Sequence, residues 1–288
     1  MKTLHKIIVM IVLSGFLFSE KRIQLIQVYS FDSLTSYPTD IVGSPDGTIY
    51  VLDGVNNRIL VIDNEFNTSY IYPNDNTILE SVGIGYDNGL WIADTPRNRL
   101  CKINLNGSFE KILPLKPTHS PVDIVFNKKN IFYSERNNHI IGIIDKTINS
   151  FKQIGLKGKH LGEFSFPGPI MLFENNLIIS DILNGRVVGY SLHNSINFLI
   201  ANFGIEVGKV FRPKGIAIDK NKNVWIADSY TGYLQIFSFE GEFIDIASIK
   251  NEYIYFNSPT GIWIDQLSRI WVVESIINKV SVWNIIDE

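Results

Sequence analysis

Residues 49–63 read IYVLDGVNNRILVID, and residues 90–104 read LWIADTPRNRLCKIN. Each stretch is a β-branched and aromatic run that ends in aspartate, then an Asn-containing turn, then an apolar run opened by arginine. Val, Ile, Tyr and Trp suit a pleated, half-buried backbone, and Asn and Gly suit a tight turn. Each stretch is therefore a hairpin. The phrase recurs six times, its acid standing at Asp53, Asp94, Glu135, Asp181, Asp228 and Glu274, at intervals of 41, 41, 46, 47 and 46 residues. A second register precedes the acid: PTDI from Pro38, ESVGI from Glu80, PVDI from Pro121, PGPI from Pro167, PKGI from Pro213 and PTGI from Pro259. A third follows it, where Arg58, Arg99, His139, Arg186, Tyr233 and Lys279 open the next strand. On this count the turn of the third copy is one residue shorter than the others.

Each copy holds four short apolar segments. In the fifth these are GIAID (215–219), VWIADS (224–229), LQIFSF (234–239) and FIDIASI (243–249), separated by turn residues. Four strands at this spacing, with no helix-length amphipathic segment, make a twisted antiparallel meander with two apolar faces. Packing six meanders radially buries both faces of each. The expected fold is all-β: a six-bladed β-propeller of four-stranded antiparallel blades over residues 20–288. The last copy, ending KVSVWNIIDE, has only three strands, and RIQLIQVYSF (22–31) is a strand without a place in the first copy. The N-terminal strand is expected to complete the last blade, which also hides two sheet edges.

The formal net charge of −3 disfavours a general nucleic-acid binder. Cys101 is the single cysteine, so no intrachain disulfide and no thiolate zinc site can form. It lies in a strand, NRLCKIN, and reads as a buried structural thiol. MKTLHK followed by IIVMIVLSGFLF (7–18) and SEKR reads as a signal peptide over residues 1–19 or a short N-terminal anchor. The apolar run is short for a membrane span, and Leu17 is a poor −3 residue for cleavage after Ser19. No later apolar run is long enough to cross a bilayer. The chain is expected to be exported and monomeric: periplasmic, extracellular, or tethered to the outer side of the cytoplasmic membrane.

The phrase at 213–237, P-x-G-I-A-I-D followed by N-V-W-I-A-D-S, resembles the NHL repeat, as do the connectors GLKGKHLGEFSFPGPI (155–170) and NFGIEVGKVFRPKGI (202–216). The resemblance covers about residues 22–288 and implies a six-bladed propeller. The third and fourth copies depart most, with Glu135 in place of Asp and proline in PGPIMLF where the family favours glycine. NHL propellers include enzymes, receptors and scaffolds, so the fold does not name the activity.

An acid at one position in every copy is what a turn cap requires, whereas an active site needs only one. Trp91, Trp225, Trp263 and Trp271 are expected to pack between blades. Connectors, strand-one starts and Asp…Arg turns should share one face of the ring. On that face the informative residues are departures from the repeat. Asp40 and Asp123 stand where three copies have glycine, with Glu80 and His119 just before the same point and Arg97 and Arg136 in nearby turns. The first reading is a non-enzymatic binding module for a protein, peptide or glycan, without nucleic acid and without a cofactor. It uses Asp40, Asp123, Arg97, Arg136 and the 156–166 loop with Lys157, Lys159 and His160. The alternative is a metal-dependent hydrolase or lyase at the channel mouth, with Ca²⁺ or Zn²⁺ on Asp40, Asp123 and His119. Related propellers include lactonases, and KPTHSPVDIVF resembles the peptide-amidating lyase, whose several channel histidines are missing here. RNA binding, as in cytosolic NHL proteins, conflicts with the export signal and the negative charge.

Overall fold

The computed structural model describes residues 23–73, 78 and 80–287. The apolar leader within residues 1–22 lies outside them. The chain forms six sheets in a ring, each an antiparallel meander that runs outward from a central channel. Blade 1 is Asp40–Gly43, Ile49–Asp53, Arg58–Ile62 and Thr68–Ile71. Blade 2 is Gly83–Tyr86, Leu90–Asp94, Arg99–Ile103 and Phe109–Pro114. Blade 3 is Pro121–Phe126, Asn130–Glu135, Ile140–Asp145 and Phe151–Ile154. Blade 4 is Pro167–Phe173, Asn176–Asp181, Arg186–Ser191 and Asn197–Phe203. Blade 5 is Pro213–Ile218, Val224–Asp228, Leu234–Phe237 and Phe243–Ile246. Blade 6 takes Pro259–Ile264, Arg269–Glu274 and Lys279–Asp287 from the C-terminus, and Ile23–Asp32 as its fourth strand.

That fourth strand closes the ring. It runs antiparallel to Lys279–Asp287, from Ile23 opposite Asp287 to Asp32 opposite Lys279. Ile23, Leu25 and Phe31 are buried, and the Ile23 amide donates to Asp245 Oδ2 of blade 5 at 2.7 Å. The inner strands pack side by side around the channel, Pro259–Ile264 returning to Asp40–Gly43.

Six buried apolar clusters occupy the six interfaces between blades. Leu52 and Ile92 meet between blades 1 and 2, for example, and Phe132 and Ile179 between blades 3 and 4. This is why a single meander is not stable alone: each face is completed by the next blade. Trp91 joins the cluster between blades 2 and 3, Trp225 that between 5 and 6, and Trp271 that between 6 and 1. Trp263 packs against two clusters.

Two sheets are wider than the repeat predicts. Lys209–Val210 runs parallel to Asn197–Phe203 at the edge of blade 4, and Ser248–Ile249 runs parallel to the N-terminal strand and pairs with Glu252–Tyr253. Both additions come from connectors that fold back along an outer edge and occupy hydrogen-bonding groups otherwise open to solvent. The third copy also differs from its reading. His139 does not open a strand, which begins at Ile140. It holds the left-handed turn position (φ 59°) that Asn57, Asn98, Gly185, Gly232 and Asn278 hold in the other blades. The turn is therefore not shorter. A histidine takes the place of Asn or Gly, and Ile140 takes the place of the cation. Among the described residues no helix is long and apolar enough to cross a membrane.

Candidate functional site

The six repeated acids are buried, and each is bonded to its connector, its turn or both. Asp53 accepts from the Ser36 amide, the Asn56 side chain and Arg58 Nε. Asp181 accepts from the Ser165 amide, Asn184 and Arg186 Nε. Glu135 has no arginine and accepts from the amides of Ser120, Asn137 and Asn138. Asp228 accepts from the amides of Phe211, Arg212 and Tyr230. Each of these carboxylates therefore ties the connector before its blade to the turn after its second strand. The Asp53–Arg58 pair at 2.8 Å is structural.

The channel is built from the inner strands. At one position the six blades present Asp40, Gly83, Asp123, Pro169, Gly215 and Gly261. Neighbouring inner strands approach so closely here that a Cβ on Gly83 would run into the Val122 carbonyl. Where the residue is aspartate, its carboxylate spans the interface. Asp40 accepts from its own neighbour Ile41 and from Ile84 of blade 2, both at 2.9 Å. Asp123 accepts from Ile124 and from Ile170 of blade 4, both at 2.7 Å. The two departures from the repeat are thus also inter-blade staples.

Asp40 and Asp123 lie at the waist of the channel. Both line a cavity of about 210 Å³ on the connector side and one of about 200 Å³ on the opposite side. Burial pushes the Asp40 carboxyl up from 3.8 to about 7, against the pull of the two amide bonds. Asp123 is raised well above the carboxylate range, first by burial and then by the charge of Asp40. Two carboxyls that repel one another across the channel do not both ionise readily, so near neutrality the pair retains a proton.

The connector-side cavity confirms the expected topology. Residues from strand-one starts (Thr39, Val82, Val122), a connector (Phe166) and turns after second strands (Arg136, Ser275) line it together. Of the predicted site residues, Asp40, Asp123 and Arg136 meet there. Arg136 donates from Nε to Ser120 Oγ at 3.0 Å, and its guanidinium lies 5.9 Å from the Phe166 ring centroid. Arg97 is placed elsewhere, bonded to the cap Asp94 at 3.0 Å. The 156–166 loop is held by Arg186, which donates to the carbonyls of Lys159, His160 and Glu163. The side chains of Lys157, Lys159 and His160 are exposed and line neither cavity at the channel waist.

His119 does not join Asp40 and Asp123. It is buried, its Nδ1 is 2.9 Å from Tyr133 Oη, and it lines a separate cavity with Phe151. Burial also holds its pKa below the usual value. The ligand set Asp40, Asp123 and His119 is therefore not assembled. Among the described residues no group of three or more His, Cys, Asp or Glu side chains is placed to hold a metal ion.

One residue of the mouth is absent from the sequence reading. Lys214 of blade 5 lines the connector-side cavity. It occupies the position that is Thr39, Val82, Val122, Gly168 and Thr260 in the other blades. Applying the rule of departures one residue before the Asp40 position would have found it.

No protein-family model matches the sequence, and no curated protein matches it. Solved structures share the fold. One is a streptogramin B lyase, with TM-score 0.64 and 15% identity, covering 92% of this chain and 97% of that chain. Another is a catalytically inactive virginiamycin B lyase from Staphylococcus aureus with quinupristin, at TM-score 0.64 and 18% identity, covering 91% and 85%. A third is a gluconolactonase from Xanthomonas campestris, at TM-score 0.71 and 10% identity, covering 88% of each chain. At these identities the likeness is one of fold: the chain is a six-bladed β-propeller whose neighbours include lyase and lactonase enzymes.

Proposed function

We propose that the protein is an exported NHL-like propeller that binds a protein, peptide or glycan on its connector-rich face, with the channel mouth as the centre of the site. The observation that carries this reading is the connector-side cavity. Its floor is Asp40 and Asp123, its wall holds Arg136 and Lys214, and the face around it exposes Tyr37, Leu183, Ile276 and Ile277. A concave polar centre with an apolar surround suits recognition. Pull-downs from an envelope fraction with the wild type and the Arg136→Ala and Tyr37→Ala variants test it. Both variants should lose the captured partner at unchanged Tm, whereas Arg97→Ala should lower Tm through the loss of its bond to Asp94. Retention of the partner by both mouth variants contradicts this reading.

A second reading is catalysis at the same point. It is favoured by a channel carboxyl held at about 7, a value suited to general acid–base work near neutrality, and it accords with the enzymes among the fold neighbours. A hydrolase or lyase using calcium or zinc would need ligands beyond Asp40 and Asp123, since His119 is turned into a separate cavity. Elemental analysis of protein purified without chelator, followed by screens of lactones and esters, tests this version. Stoichiometric metal that disappears in the Asp40→Asn/Asp123→Asn double variant supports it, and a metal-free wild type refutes it.

A further inference from the structure

The wall of the mouth carries two cations that the repeat does not require. Lys214 is partly buried, and among the described residues its ammonium is in no ion pair. Burial, and then the charge of Arg212, hold its pKa below the ordinary lysine value. An unpaired ammonium in such a place costs stability, and five blades are built without one. Arg136, from blade 3, engages Ser120 through Nε and lines the same cavity as Lys214. Lys214 precedes Gly215, the channel counterpart of Asp40 and Asp123, by one residue on a strand that runs inward from the connector face. The sequence of charges from the mouth inward is therefore cations first and carboxyls beneath.

We propose that Lys214 and Arg136 form a carboxylate receptor, and that the group filling it is the C-terminal residue of a peptide. The cations call for an anion. The negative charge that remains on the carboxyl pair below, which retains a proton, opposes a second anion sinking deeper. A cavity of about 210 Å³ admits about one residue, and the exposed apolar side chains at Tyr37, Leu183, Ile276 and Ile277 offer cover to the chain behind it. The inference rests on the connector face being the binding face, and it narrows the ligand to one with a free carboxylate end.

The test uses N-terminally labelled hexapeptide pools ending in Leu, Val or Phe, each made as the free acid and as the C-terminal amide. Fluorescence polarisation is read against the wild type and the Lys214→Met and Arg136→Gln variants. The free-acid pools should bind at least tenfold tighter than the amides, as loss of a charge-assisted hydrogen bond implies. Lys214→Met and Arg136→Gln should each remove most of that preference. Lys214→Met should also keep or raise Tm, because it removes a partly buried ammonium that is in no ion pair among the described residues; a fall in Tm would mean that the lysine serves the fold. Equal binding of acids and amides by the wild type, with both lowered by Tyr37→Ala, overturns the carboxylate receptor and leaves the connector-face reading standing. Binding of neither pool, with acetate or lactate alone showing Lys214-dependent binding in calorimetry, overturns the peptide as the source of the carboxylate.

Discussion

Replacing Asp40 by asparagine should change how stability depends on pH more than it changes stability itself. In the folded protein burial holds the Asp40 carboxyl at about 7, from an ordinary value of 3.8. A raised carboxyl pKa means that the folded state binds the proton more tightly than the unfolded chain. The contribution of Asp40 is therefore most favourable at low pH and is lost as pH rises from about 4 to about 7. At about 1.4 kcal/mol per pH unit, full ionisation costs roughly 4 kcal/mol, of which roughly 3 falls above pH 5. Asparagine does not titrate. It keeps one acceptor for the two amides of Ile41 and Ile84 that now bond both carboxyl oxygens, at a fixed cost of about 1–2 kcal/mol. The variant should therefore be close to the wild type at pH 5, where the wild type has already lost about as much as the asparagine costs, and more stable than the wild type at pH 8. Removing the Asp40 charge also relieves Asp123, which adds to the same trend. With about 2–4 °C per kcal/mol for a domain of this size, the gap in Tm should swing by about 6–12 °C between the two pH values. Differential scanning fluorimetry at half-unit steps in a constant-ionic-strength buffer reads this directly. Parallel Tm curves for the two proteins would show that Asp40 is ionised throughout and would refute the assignment of a retained proton to the channel waist.

Asp53→Ala should lower stability by about 2–4 kcal/mol in urea unfolding, because it strands Arg58, Asn56 and the Ser36 amide together; a loss under 1 kcal/mol would remove the cap from the account of the fold. Deleting residues 20–31 should abolish soluble monomeric expression. The deletion exposes the partners of Ile23, Leu25 and Phe31, worth roughly 5–8 kcal/mol of burial, comparable with the net stability of a whole domain; a stable monomer would show that the ring closes otherwise. Cys101 is fully buried, and burial, then the charge of Asp94, push its thiol up to about 12. It should stay unreactive toward a thiol reagent at pH 8 until the protein is unfolded, and rapid labelling of the native protein would contradict its placement.

What this chain states locally, it states in its own letters. The recurring acid, the alternating apolar runs and the turn residues Asn57, Asn98 and Gly185 specify hairpins through preferences that act within a few residues. Four hairpin-linked strands with two apolar faces leave few ways to bury both, so the propeller, its blade number and its N-terminal closure were legible. The role of the Asp53 series as caps was legible too, because a feature present in every blade is one that every blade needs.

The mouth was legible only in part. Asp40 and Asp123 stood out as departures from the repeat, but their bonds to Ile84 and Ile170 belong to the next blade and have no local signature. Arg97 stands three residues after its acid and Arg136 one residue after its own; at the first place the side chain reaches back to Asp94, a role that the Asn138 amide fills at Glu135 in blade 3, and at the second it faces the channel mouth. His119 sits two residues before Pro121, close in sequence to the channel strand, but it turns toward Tyr133. Lys214 passed as an ordinary member of PKGI until the inner strand of blade 5 carried it to the mouth. Strand propensity and turn chemistry are properties of neighbours along the chain, whereas the direction of a side chain at a six-fold axis is set by the blades on either side of it. The sequence by itself therefore determined the blade, the ring and the caps; tertiary packing alone decided which charges share the channel.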